Sequence, residues 1–170
     1  MSPEARTSLA TLLLLRQEVA ADRRLLRERR DDVGGVLAQW AGAAPDRPHL
    51  VLTAAALHAY YTGLETILER VARQIDGDVP TGERWHQALL SRSLVELPGF
   101  RPAVLPAALA PDLNSLLGFR RFFRHAYALD LDAARLRLEA ERLLRVDPLI
   151  AAALDEFDAF LAAAAAAVAP

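Results

Sequence analysis

Between Arg120 and Tyr127 the chain reads RRFFRHAY, which sets three arginines, a histidine and a tyrosine around two phenylalanines. Arginine offers a planar fork of donors matched to phosphate, and a neutral imidazole accepts a proton near pH 7. The chemistry open to this stretch is therefore phosphate binding combined with acid–base work. Its alternative is an ordinary solvated helix face, because cations near a helix C-terminus are favoured by the macrodipole.

A helical wheel sharpens the question. With Phe119 at zero and about 100° per residue, Leu116, Phe122, Phe123 and Ala126 fall within about 60° of it and predict one apolar stripe facing a core. Tyr127, Arg120, Arg124, Arg121 and His125 fan across the remaining arc, from about 80° to about 240°. Arg121 and His125 stand one turn apart, and Arg120 and Tyr127 nearly two turns apart on one line. Arg120 and His125 point about 140° apart, so one straight helix cannot bring both onto one small group. They can cooperate only through a distorted helix end or through two copies sharing a cleft.

The elements that must position this stretch read as helix almost throughout. Alanine, leucine, arginine and glutamate dominate, and β-branched residues never alternate in runs. The expectation is an all-α fold, an up-down helical bundle of five or six helices. A first helix is expected from Ser8 to Arg30, stopping before Asp31, Asp32 and the Gly34-Gly35 pair, with a short helical piece from Val36 to Trp40. Asp46 caps a second, Pro48 suits its first turn and Gly77 stops it. Along it Leu57, Tyr61, Leu64, Leu68, Val71 and Ile75 alternate steps of four and three, the seam of a helix packed lengthwise on another. Thr81 is a candidate cap for a third, from Glu83 to about Val95. A fourth is expected from about Pro111 to Tyr127. After ALDLD, Asp132 caps a helix to about Arg145, and Asp147-Pro148 opens a last one. The alanine-rich tail has high helix propensity but little shape, so it is expected to fray or to cover a partner surface.

Composition narrows the classes. At 170 residues and 53% hydrophobic content, the chain suits a single domain over 1–170. A net charge of −2, from 20 basic and 22 acidic residues, gives no global case for nucleic-acid binding, so any such site is local. Every basic residue is arginine, for which a GC-rich genome is the leading explanation. The absence of cysteine excludes disulfides and thiolate chemistry, which with no membrane-spanning stretch makes the cytoplasm the expected location.

Other residues favour no rival chemistry. His49 reads as surface, and His58 and His86 as interface or core-edge residues, none with metal-ligand spacing; no metal and no cofactor is expected. Glu65 and Glu69 are one turn apart, but Arg70 and Arg73 follow, which reads as a salt-bridged face. Trp40 and Trp85 read as packing residues. The run RRLLRERRDD reads as a solvated face ahead of an RNA or partner surface.

Arg120 to Tyr127, as R-x4-H-x-Y, resembles the signature of the HepT-like toxins, ribonucleases of the HEPN superfamily. LHAYYTGLETILERVARQIDG followed by GERWHQALL is also similar to that family's second and third helices, and the likeness spans roughly residues 46–135. The resemblance implies an HEPN-like bundle that forms a homodimer, with two R-x4-H motifs lining one cleft and cleaving RNA without a metal. The motif arginine maps onto Arg120 and the histidine onto His125. The motif tyrosine maps onto Tyr127, to which an MNT-type nucleotidyltransferase antitoxin adds AMP in similar systems, silencing the toxin. Here Arg121 follows the motif arginine, where members of the superfamily often carry a small polar residue, a departure that bears on activity.

Under that resemblance, His125 takes the proton of an RNA 2'-hydroxyl, Arg120 steadies the charge that builds on the phosphoryl oxygens, and Arg121 and Arg124 hold flanking phosphates. Two other readings stay open. One is a catalytically silent HEPN-type module that binds a nucleotidyltransferase or a nucleotide. The other is a helical scaffold whose arginine arc is surface decoration.

Overall fold

The computed structural model describes residues 2–40, 45–125 and 131–169, and the side chains of Arg124 and His125 fall outside that description, as does all of Tyr127. Among the described residues five α-helices make up the bundle: α1 (Pro3–Gln39), α2 (Arg47–Val71), α3 (Trp85–Ser93), α4 (Ala110–His125) and α5 (Ala133–Val168). A π-helical turn (Ala72–Asp76) extends α2 and a 3-10 turn (Ala107–Leu109) leads into α4. The described residues form no sheet, only an isolated bridge between Leu97 and Arg101.

The long helices α1 and α5 lie against each other, α2 packs along α1, and α4 closes the bundle over α2, α3 and α5. Each contributes a stripe with near-heptad spacing. From α1 come Leu15, Val19, Leu26 and Val33, and from α5 Leu136, Ala140, Leu143, Ile150, Leu154, Phe157 and Leu161, all buried. The expected α2 seam is present: Leu57, Tyr61, Leu64, Leu68 and Val71 are buried, and Ile75 packs at its edge. Close approach of α1 and α2 depends on Gly63, where a Cβ would stand 3.0 Å from a methyl of Leu26.

Capping follows the sequence in two places, where Asp46 accepts from the His49 amide and Asp132 from that of Arg135. α1 opens earlier than the expected Ser8, at Pro3, because Ser2 accepts from the Ala5 amide. Gly77, at φ 76°, ends the π-helical turn in the left-handed conformation expected of a stop signal.

Four expectations about the helices are overturned. First, α1 runs through Asp31 and the Gly34-Gly35 pair to Gln39. Asp31 and Asp32 are neutralised by their neighbours Arg30 and Arg29, and Gly34 lies against Leu144 of α5, so packing outweighs the weak propensity of two glycines. Second, α5 continues through Pro148 rather than restarting there. Pro148 is exposed while Val146, Asp147 and Ile150 are buried, so burial on both sides offsets the roughly 3 kcal/mol an interior proline costs. Third, Thr81 caps nothing: Gly82, at φ 87°, turns the chain once more and α3 starts only at Trp85. Fourth, the alanine-rich tail does not fray: it stays helical to Val168, with Leu161 and Ala165 buried in this chain.

Polar ties lock the frame. Arg16 of α1 holds Asp158 of α5 through two hydrogen bonds of 2.8 and 2.9 Å, and Arg70 of α2 reaches Asp22 and Glu18 of α1. Tyr60 donates its buried hydroxyl to Asp147 at 2.8 Å, joining α2 to α5. Arg101 is buried against Asp76 and fastens the loop before α4 to the end of the π-helical turn. Part of RRLLRERRDD belongs to this network, since Arg23 pairs with Asp155 and Arg30 lies 3.7 Å from Asp147.

The Arg16 hydrogen bonds hold Asp158 below the usual carboxylate range, helped by the charges of Arg16 and Arg23 and opposed by burial. A carboxylate whose pKa falls on folding stabilises the fold above its unfolded pKa of about 4, and that contribution disappears as pH falls through the folded value. Asp158→Asn should therefore lower the melting temperature modestly at neutral pH, because the pair is partly exposed. The gap to wild type should narrow in melts run at successively lower pH, below the ordinary carboxylate range. A gap of constant size across that range would contradict the assignment.

Candidate functional site

The buried arc of α4 is not the one centred on Phe119. Leu113, Leu116, Leu117 and Phe119 are buried, and Arg120 joins them at only 7% exposure. On the wheel Leu113, Leu116 and Leu117 lie at about 60° to 160°, so Arg120, at about 100°, falls in the middle of the stripe. Phe122, expected inside, is 42% exposed, and the Arg135 guanidinium sits 5.2 Å from its ring centre. Phe123 packs at the core edge, with its ring 5.4 Å from that of His58.

A guanidinium cannot lose its charge in the interior, so it must be met there by a counter-charge. Glu65 of α2 supplies one: its Oε2 accepts from Nη2 of Arg120 at 2.8 Å, and Glu65 itself is 5% exposed. The other Glu65 oxygen lies 2.5 Å from Nδ1 of His86 on α3. Nε2 of His86 faces Nη1 of Arg120 at 3.4 Å, and Nε of Arg120 points to the Thr62 hydroxyl at 3.3 Å.

The chemistry of the donors sets the tautomer of His86. Arginine only donates, so the nitrogen facing it accepts, and the proton sits on Nδ1, from which it is donated to Glu65. The result is a closed buried cluster: one carboxylate shared by a guanidinium and an imidazole. The Trp85 ring covers the imidazole, with centroids 3.7 Å apart. The neighbouring Tyr61 hydroxyl is pushed well above its ordinary pKa, by burial first and then by the charge of Glu65.

Glu65 and His86 are the residues that sequence reasoning passed over. Glu65 was grouped with Glu69 as a salt-bridged face, yet Glu69 alone matches that description, pairing at the surface with Arg73. The signals were present. Glu65 lies four residues after Tyr61 and three before Leu68, both buried, and His86 shares a helical face with Leu89, Leu90 and Ser93.

Of the sequence-derived site residues, Arg120 is the one whose surroundings are fully drawn. Arg121 is partly buried, and its charge reaches Tyr61. Arg124 and His125 occupy the last turn of α4, their side chains outside the described residues, and Tyr127 lies beyond them. The structure thus brings Arg120 together with Glu65 and His86, two residues from other helices. Among the described residues no three histidine or acidic side chains group as metal ligands, and no helix is long and apolar enough to cross a membrane.

Removing one partner of a buried ion pair strands the other, which typically costs about 3–5 kcal/mol, whereas an exposed pair is worth about 0–1 kcal/mol. Glu65→Leu should therefore lower the urea unfolding free energy several-fold more than Glu69→Ala. Equal effects from the two would mean that Glu65 is solvated.

A family model described as HepT-like protein matches residues 52–161. No curated protein and no solved structure matches the chain. The matched stretch takes in nearly all of α2, the whole of α3 and α4, and most of α5, and with them Glu65, His86, Arg120, His125 and Tyr127. The chain belongs to the HepT-like protein family.

Proposed function

We propose that this protein is the toxin of a toxin–antitoxin pair and acts as an endoribonuclease whose composite site forms where two copies meet. The observation that carries the reading is the burial of Arg120, the first residue of R-x4-H-x-Y, against a dedicated carboxylate. An arginine serving only solubility would lie in water, where its charge is fully hydrated. Membership of the HepT-like family supports the same reading.

The reaction is transesterification. His125 removes the proton of a 2'-hydroxyl, the 2'-oxygen bonds to the adjacent phosphorus, and the bond from phosphorus to the 5'-oxygen breaks. The His125 of a second copy, in its protonated form, delivers a proton to the departing 5'-oxygen. Arg120 stabilises the negative charge gathering on the phosphoryl oxygens, and Arg121 and Arg124 hold flanking phosphates. Two copies resolve the wheel problem, since Arg120 and His125 diverge on one helix. No metal enters this scheme, and the site of action is the cytoplasm.

Regulation follows from the same arc. An MNT-type nucleotidyltransferase antitoxin would add AMP to Tyr127, placing a phosphodiester beside the arginines and offsetting their charge. Arg121, where related proteins often carry a small polar residue, tunes substrate preference or rate.

One observation favours a second reading, a silent module that only binds a nucleotidyltransferase or a nucleotide: Glu65 already neutralises Arg120. Purified protein lacking AMP on Tyr127, incubated with a defined RNA in EDTA, separates the two. The ribonuclease reading expects cyclic phosphate ends and a fall of about 10²–10⁴-fold for His125→Ala. Absence of cleavage by wild type would select the silent module.

A further inference from the structure

The end of α4 would be a poor place for a phosphate-binding arginine if that side chain swung freely. Arginine has several rotatable bonds, and a guanidinium that must be ordered at each turnover gives up part of its stabilisation of the transition state. In this protein three of its five N–H donors are engaged, with Glu65, His86 and Thr62 drawn from two other helices. At most two donors remain, the number a bidentate phosphate contact uses.

We propose that Glu65 and His86 are positioning residues that fix the Arg120 guanidinium in a single orientation. Their roles differ. Glu65 supplies the counter-charge and the short hydrogen bond to Nη2. His86 keeps the carboxylate from rotating, because its Nδ1–H occupies the second oxygen, and its Nε2 closes the cluster against Nη1. Trp85 lies against the imidazole, with ring centroids 3.7 Å apart and planes tilted by 31°, and narrows its freedom to move. Glu65 and His86 act only through Arg120, and the three side chains are nearly fully buried in one chain, at 5%, 7% and 7% exposure.

A consequence is that the carboxylate serves by its charge as well as by its shape. Glu65→Gln preserves the size of the side chain and one acceptor oxygen, but removes the charge that holds the guanidinium. The amide group must also present a donor where an acceptor was needed, either to Arg120 or to His86. His86→Asn keeps a donor within reach of Glu65 and removes the acceptor that faces Arg120.

The orientation of Arg120 rests on the geometry alone, while its effect on rate rests on the ribonuclease reading, so the test has two independent readouts on the full-length protein. Side-chain 15N NMR reports rotation of the Arg120 guanidinium about its Cζ–Nε bond. Cleavage of a fluorescently labelled RNA in EDTA reports kcat and KM. In wild type the rotation should be slow, and in Glu65→Gln it should speed up at least tenfold. In the same variant kcat should fall at least tenfold while KM changes less than about threefold, as expected for an interaction made only in the transition state. His86→Asn should show the same pattern at smaller amplitude, and it carries the test should Glu65→Gln fail to fold. Fast rotation in wild type, or variants with the wild-type rotation and kcat, would overturn the proposal. Slow rotation released by the variants, from a wild-type protein that cuts no RNA, would support the positioning roles and reject the ribonuclease reading.

Discussion

Burying an arginine in the apolar stripe of a helix imposes a condition that the surrounding helices must meet together. Arg120 cannot be deprotonated, so α4 can close over the bundle only where α2 offers Glu65 and α3 offers His86. Those contacts restrict the relative rotation of α2 and α4, and beside Leu89 and Leu90 they add a directional tie to α3, a short helix without a side-chain N-cap. Hydrophobic packing alone would tolerate some sliding of leucines over leucines. A shared carboxylate with two directional partners tolerates little.

Around that cluster the frame is built in a different way. α1 and α5 are long, and their leucine and valine stripes follow near-heptad spacing, so each turn adds a little apolar burial without any single contact dominating. This redundancy explains how α1 carries two adjacent glycines and α5 an interior proline without breaking. The cross-links Arg16 to Asp158, Arg70 to Asp22 and Tyr60 to Asp147 add register, each joining two helices at one level. Frame and cluster meet on α2, whose residues Tyr60 and Glu65 face the two neighbourhoods.

The helical class, the α2 seam and the caps at Asp46 and Asp132 were legible because they are local, written within a few residues and in side-chain chemistry that acts on its own backbone. The joins at Gly34-Gly35 and Pro148 were not, because the decisive contacts come from helices distant in sequence, and local breaking signals of about 1 to 3 kcal/mol lose to them. The error on α4 has another origin. Centring the stripe on the phenylalanines left out Leu113 and Leu117, which with Leu116 define the buried arc, and so left Arg120 outside it. A charged residue in an apolar arc asks for a partner on a neighbouring face, and Glu65 was the candidate. The pairing of Arg120 with Glu65 joins residues far apart in sequence and in different helices, for which no spacing rule exists.

The central claim is that Glu65 and Arg120 act as one unit, and a double-mutant cycle tests it most directly. Unfolding free energies of wild type, Glu65→Leu, Arg120→Met and the double variant give the coupling between the two positions. A coupled buried pair predicts about 2 kcal/mol or more, with the double variant more stable than the sum of the single losses allows. Additive losses, with a coupling below about 0.5 kcal/mol, would contradict the account.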